Sequence, residues 1–405
     1  MTARQRTVWT WSAISFVIFA AIVGALVERA THRIAARVES NLGYVPNPEG
    51  TREFLRELKH PLFADAAPAV MDNAKGKDVF LFRNADKAHR AVYGKPFSVW
   101  DQSDHGACIG FGFGMASYVG QTVDWTQGER DDPPLLVSTE SIYAGSRTLA
   151  RLPPQSRNTG EDGSYGGAAA RWISGQCKDP TVGGILYRKK YGNVDLTEYS
   201  VALSRDWGRD GVPTDLAREG MKHSAQGVAL CRDWASLCAS LENGMPVAIC
   251  SGVGFGTKWG AVRDSDGFRP RVPGSRWNHC MCVISVRHKA NGSPRDGALI
   301  ANSWSPDWIS GPRWPEDMPD GCFWASREAI QEILDAEDSF CIAGVNGFQA
   351  RDLDNGAWLD PAPARVLEPA KISSETVPVD SRKSSVFVKV PQPAGVISSV
   401  YSLAP

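Results

Sequence analysis

Residues Gln102-Ser103-Asp104-His105-Gly106-Ala107-Cys108, continued by IGFGFGMASYVG from Ile109 to Gly120, decide how this chain is read. A polar loop with one amide side chain leads into a cysteine, and the cysteine opens an apolar run. Apolar positions fall at Cys108, Phe111, Met115 and Val119, with Ala116 beside them, and that spacing predicts a helix. A thiol at a helix N-terminus feels the positive end of the macrodipole, which favours thiolate. The first-turn N–H groups have no partner inside the helix and can receive a developing oxyanion. Gly110, Gly112 and Gly114 each weaken such a helix by about 1 kcal/mol relative to Ala. Packing must therefore hold it, with the glycines letting neighbours come close. A lone cysteine is more often a buried structural residue, so a nucleophile here needs a base and an orienting group elsewhere.

Both are present downstream. Trp277-Asn278-His279-Cys280-Met281-Cys282-Val283-Ile284-Ser285-Val286 sets a histidine at the head of a β-rich run, and Gly297-Ala298-Leu299-Ile300-Ala301-Asn302-Ser303-Trp304 is a second short apolar run. Asn291-Gly292 between them is a hairpin signal. A hairpin brings His279 and Asn302 to one end of paired strands. Cys, His and Asn then supply a nucleophile, a general base and an orienter.

The ordered set of Gln102, Gly106-Ala107-Cys108, Asn278-His279 and Asn302-Ser303-Trp304 resembles the papain-like cysteine peptidases. In that family a Gln stands six residues before the Cys, as Gln102 does before Cys108. Asp162-Gly163-Ser164-Tyr165 resembles the family's glycine segment lining the substrate cleft. Met245-Pro246-Val247-Ala248-Ile249 resembles the strand preceding the histidine strand. The resemblance implies an α+β, two-lobed papain-like fold over residues 96–348. It also implies a cysteine peptidase that hydrolyses peptide bonds without metal or cofactor. Cys108 is then the nucleophile, His279 the base, Asn302 its orienter, Trp304 the shield over their hydrogen bond and Gln102 the oxyanion donor. Gly163, Ser164 and Trp304 would meet a peptide or protein substrate. Two alternatives stay open: a catalytically inactive papain-like peptide-binding or structural protein, and a thiol-dependent acyl transferase or amidase.

The chain departs from the family pattern in several places. Ile109 and Gly110 follow the nucleophile where Trp and a small residue are usual, and Ser305 follows Asn-Ser-Trp where Gly is common. The family's disulfide partners are missing: His105 stands where the loop usually has a second Cys, and Asp162 where its mate would be. His105 is expected to be a solvated loop residue.

Around this domain the chain has appendages. With 405 residues, a formal net charge of −1 and 42% hydrophobic content, it fits one sizeable domain plus extensions and shows no basic face for nucleic acid. Residues 7–27 carry no charge, and about 20 such residues span a bilayer. Residues 1–27 are read as a single-pass anchor, with a signal peptide as the rival. Arginines flank both sides of the run, so charge does not fix orientation; the catalytic domain is placed outside the cytoplasm. Residues 28–95 form a stalk followed by a prosegment-like stretch or a packed connector, with a turn-rich break at NLGYVPNPEG and a helix at TREFLRELKH. Residues 349–405 are a Pro/Ser-rich tail. Asp233 and Ser326 are read as caps of two helices. Eight cysteines besides Cys108 allow four disulfides or eight free thiols. No CxxC pair suggests a zinc site. The Trp- and Pro-rich loop 305–321 is expected to be a rigid cap.

Overall fold

A helix that opens at Cys108 and a strand that opens at Arg276 are the two elements on which the rest is packed. The computed structural model describes residues 42–150, 162–258, 260–344, 347–351 and 353. The run 7–27, the stalk before residue 42 and the tail beyond 353 lie outside the described residues. No helix among the described residues is long and apolar enough to cross a membrane.

Along the chain the helices are α1 (Pro48–Glu57), α2 (Phe63–Ala66), α3 (Pro68–Asn73), α4 (Leu81–Tyr93), α5 (Cys108–Thr126), α6 (Thr139–Leu149), α7 (Gly166–Ile173), α8 (Val201–Asp210), α9 (Thr214–Gly220), α10 (Trp234–Glu242) and α11 (Arg327–Leu334). The strands are β1 (Val79–Phe80), β2 (Lys190–Tyr191), β3 (Val194–Asp195), β4 (Gly227–Leu230), β5 (Val247–Val253), β6 (Ala261–Val262), β7 (Arg276–Arg287), β8 (Gly297–Ala301), β9 (Ile309–Ser310), β10 (Cys322–Ser326) and β11 (Phe340–Ala343). Helices α5 to α8 gather on one side. The main sheet, ordered β10-β8-β7-β5-β11-β4, forms the other, with β1 added along β7. Its strands pair antiparallel.

The hairpin expected between His279 and Asn302 is present. Cys282 pairs with Ala301 and Val283 with Ile300, and the register then shifts at a bulge before Ser285. Its connection is a 3-10 turn closed by Gly292 at φ 93°. Asp233 caps α10 by accepting the Ser236 N–H at 2.8 Å, and Ser326 caps α11 through the Ala329 N–H at 3.3 Å. The loop 305–321 packs, as a rigid cap should: the Trp308 indole donates to the Gly321 carbonyl at 2.7 Å. Arg287 is fully buried, its guanidinium carbon 4.0 Å from the Trp314 ring centroid and 4.5 Å from that of Trp324.

The N-terminal extension differs from its sequence reading. Helix α1 starts inside the expected turn-rich break, because Asn47 accepts the Gly50 N–H at 2.9 Å and Pro48 fits the first helical position. Residues 79–93, given no element by the sequence reading, add β1 to the sheet and set α4 against α5. All nine cysteines are free thiols.

Helix α5 is buried on every side from Cys108 to Asp124, so its glycines replace side chains that would not fit. A Cβ on Gly110 would lie 2.3 Å from the Thr139 carbonyl oxygen on α6, and one on Gly112 would lie 2.7 Å from Cys280 Sγ on β7. The Gly110 contact is with backbone, which cannot rotate away. Gly110→Ala should therefore destabilise the fold by about 1–3 kcal/mol from overpacking, despite about 1 kcal/mol of better helix propensity. Urea unfolding would show this as a lower midpoint at constant slope. An unchanged or raised midpoint would mean that α5 and α6 can separate at no cost.

Candidate active site

Cys108 is the first residue of α5, behind an N-cap, Ala107, that makes no side-chain cap. The helix end is thus left open toward the thiol. Cys108 is fully buried, and the backbone N–H groups of Cys280, Gly43 and Ile109 lie toward its Sγ. Two elements remote in sequence, β7 and the start of the described chain, therefore converge on the sulfur.

His279 sits one residue before Cys280 on β7 and is buried. Its Nε2 lies 2.7 Å from Asn302 Oδ1, which also accepts the Ser303 N–H at 2.8 Å. An amide oxygen only accepts, so the imidazole proton is on Nε2 and Nδ1 carries the lone pair. Nδ1 is buried without a hydrogen-bond partner. Trp304 stacks on the imidazole, with centroids 4.7 Å apart and planes 30° apart. Lys258 Nζ lies 5.0 Å from the Trp304 centroid.

Gln102 belongs to the same assembly. Its backbone N–H donates to the Ser303 carbonyl at 2.9 Å, its Oε1 accepts the Ser303 hydroxyl at 2.5 Å, and its Nε2 donates to the His105 carbonyl at 2.8 Å. Ser303, given no role in the sequence reading, thus holds the loop before Cys108. His105 is fully buried, contrary to the solvated residue expected. Its Nδ1 lies 2.7 Å from Asp162 Oδ2. An adjacent carboxylate explains the difference, because it lets the imidazole leave water.

The cleft between the helical side and the sheet holds part of the same chain. Tyr44 bridges Ser164 in parallel: the Ser164 N–H donates to the Gly43 carbonyl at 3.0 Å, and the Val45 N–H to the Ser164 carbonyl at 2.8 Å. The Tyr44 N–H reaches the Asn278 carbonyl at 2.9 Å. Gly163, at φ 120°, keeps the edge open, since a Cβ there would lie 2.7 Å from the Gly43 carbonyl oxygen. Residues 43–45 thus occupy both backbone hydrogen-bonding groups of Ser164, in the segment that was expected to line a substrate cleft. The Tyr44 hydroxyl reaches Asp338, which also accepts from Thr51 Oγ1 at 2.7 Å and from the Gly166 and Gly167 N–H groups at 2.7 and 2.8 Å. Asp338 had no local signal in the sequence, because its partners lie about 170 residues and more away.

Burial dominates the electrostatics here. It pushes the Cys108 thiol well up, helped by nearby Cys280. It pushes His279 down to about 4, against the Asn302 hydrogen bond and with the help of the Lys258 charge. In this covered state both groups are therefore uncharged near neutral pH, rather than the thiolate that a helix N-terminus favours. Asp338 moves the opposite way, raised by burial to about 7 against its four donors. Among the described residues no His, Cys, Asp or Glu group is arranged to hold a metal ion.

No protein-family profile matches the chain, and no curated protein does. Among solved structures it is similar to xylellain, a cysteine protease from Xylella fastidiosa, at 18% identity and a TM-score of 0.47, over 76% of this chain and 97% of that one. It is similar to digestive procathepsin L 3 of Tenebrio molitor larval midgut at 18% identity and 0.42, over 81% and 90%. It is also similar to the bromelain protease from Ananas comosus at 16% identity and 0.38, over 62% and 96%. The likeness is to papain-like cysteine proteases, the group that the motifs resemble. At these identities it is a likeness of architecture and says nothing of chemistry.

The buried imidazole has a measurable signature. His279 falls from the usual 6.5 to about 4 on folding, so the unfolded chain takes the proton first. The stability this gives is present above about pH 6.5 and lost as pH falls toward 4, by about 3 kcal/mol at 1.4 kcal/mol per unit. Asp338 acts oppositely, stabilising at low pH and losing its effect as pH rises through about 7. His279→Asn should thus lose less stability than the parent chain between pH 6.5 and 4 in urea titrations. Parallel pH curves would show that His279 is hydrated.

Proposed function

We propose that this chain is a papain-like cysteine peptidase whose cleft is covered by its own residues 42–45. The observation that carries the proposal is the His279–Asn302 pair, which leaves a buried, partnerless Nδ1 one residue from the backbone N–H that contacts Cys108 Sγ. With the cover lifted, water reaches the site and the desolvation that keeps thiol and imidazole neutral falls away. Nδ1 takes the thiol proton and the thiolate attacks the substrate carbonyl carbon. The oxyanion is met by the Cys108 N–H and the Gln102 amide. The imidazolium gives its proton to the leaving amine, and a water activated by the same ring releases the acyl group. Asn302 holds the ring in the tautomer this needs, and Trp304 keeps water off their hydrogen bond. Ser164 offers the substrate the two backbone hydrogen bonds that Gly43 and Val45 now use, and Gly163 leaves room beside it.

In this reading residues 28–95 divide. Residues 42–45 are a prosegment-like cover, whereas α1 to α4 are a packed connector. The uncharged run within residues 1–27 is the tether to a membrane, with the catalytic domain outside the cytoplasm. Residues 349–405 are an appended tail.

The covered, neutral thiol favours a second reading, a peptide-binding protein that turns nothing over. One pair of variants separates the two. A Cβ on Gly43 would lie 1.8 Å from the Gly106 carbonyl oxygen, so Gly43→Val should lift the cover. Iodoacetamide labelling of Cys108 and cleavage of a pooled peptidyl-aminocoumarin library should both rise at least tenfold. Adding Cys108→Ala should abolish cleavage. Labelling that rises without any cleavage would leave the binding protein standing. Transfer of the acyl group to an added amine rather than water, seen by mass spectrometry, would make the chain an acyl transferase.

A further inference from the structure

The proposed reaction makes no use of the buried pair formed by His105 and Asp162. His105 has no exposed surface, and the Asp162 side chain is 10% exposed. Asp162 Oδ2 takes both His105 Nδ1 at 2.7 Å and the Gly106 N–H at 2.9 Å. Burial pushes the Asp162 carboxyl up, but the His105 hydrogen bond and charge and the Gly106 N–H hold it below its usual range. The His105 ring stands edge-on to Tyr143 at 4.9 Å, and the Tyr143 hydroxyl accepts the Gly163 N–H at 3.2 Å. Arg147 fixes the same turn from the other side, donating to the Gly163 carbonyl at 2.9 Å.

This pair is poorly built for stability alone. His105 Nε2 and Asp162 Oδ1 are both buried without a hydrogen-bond partner. Buried ion pairs with unmet atoms often contribute less than apolar packing of the same volume. What the pair does achieve is positional. His105 lies midway between Gln102 and Cys108, and its carbonyl accepts the Gln102 Nε2 hydrogen bond at 2.8 Å. Ser303 Oγ holds the other end of the same amide. These two contacts fix the amide plane, and with it the direction of its second N–H.

We infer that His105 and Asp162 are positioning residues that join the loop before the nucleophile to the Gly163-Ser164 turn and so aim the Gln102 amide at the oxyanion. The inference rests on the peptidase reading and extends it. The oxyanion donor and the backbone edge that holds a substrate are then one mechanical unit, so a substrate docked on Ser164 meets an amide already set at the right distance.

The test compares two reactions of Cys108. Cleavage of the peptidyl-aminocoumarin pool passes through an oxyanion, whereas alkylation by iodoacetamide displaces iodide and forms none. Both need the cleft open, so their ratio cancels the cover. Removing an oxyanion donor outright costs about 10²–10³ in kcat, and a loosened donor should cost less. His105→Leu and Asp162→Ala in the full chain should lower the cleavage-to-alkylation ratio about tenfold to a hundredfold, through kcat rather than KM. His105→Asn places an amide N–H close to where Nδ1 stands and should stay within about threefold of the parent chain. If His105→Leu does not fold, Asp162→Ala and His105→Asn decide the matter. An unchanged ratio, a parallel fall in both reactions, or a His105→Asn as impaired as His105→Leu would overturn the inference. A parent chain that alkylates but cleaves nothing would overturn the peptidase reading, and this inference with it.

Discussion

Contact between the start of α5 and strand β7 is the constraint on which the site depends. The helix that carries Cys108 and the strand that carries His279 can pack together only if they approach more closely than side chains usually allow. Gly112 removes the obstacle on the side of Cys280, and Gly110 removes it on the side of α6. The helix is left with poor intrinsic propensity and burial all round. Its stability is borrowed from its neighbours, as is usual for a helix whose packing outweighs its propensity. The geometry at Cys108 is therefore a property of the whole core.

From that contact outward, the polar groups form one chain of hydrogen bonds. Asn302 orients His279 and anchors Ser303 in the same oxygen lone pairs. Ser303 holds Gln102, Gln102 meets the His105 carbonyl, and His105 meets Asp162 at the edge of the cleft. The Asp101–Trp304 bridge closes the loop onto the strand end. Buried networks of this kind are demanding, because each unmet atom is costly in a low dielectric.

The parts legible in the sequence were those with local signatures. The helix at Cys108, the hairpin joining His279 to Asn302, and the Asp233 and Ser326 caps all follow from spacing within a dozen residues or from a turn signal. Resemblance put Trp304 over the His279–Asn302 hydrogen bond; in the structure the ring stacks on the His279 imidazole. What stayed hidden depends on partners far along the chain. His105 looked like a solvated loop residue because the carboxylate that buries it is 57 residues away. Asp338 is fixed by Thr51 and by the start of α7. Helix α1 was placed late because a Pro after an Asn was read as a break rather than a capped start. The cover over Cys108 is made mostly by backbone atoms, which no side-chain pattern announces.

That backbone character has a thermodynamic meaning. Residues 42–45 are joined directly to α1, which is docked on the domain, so they act as a ligand that cannot diffuse away. A short tether holds its ligand at an effective concentration on the order of millimolar. A free peptide making only the same main-chain contacts would have to exceed that concentration to displace it. On the peptidase reading proposed above, the intact chain would impose an affinity threshold: weak, generic backbone binders would be shut out, and entry would fall to partners whose side chains add something that Tyr44 and its neighbours do not.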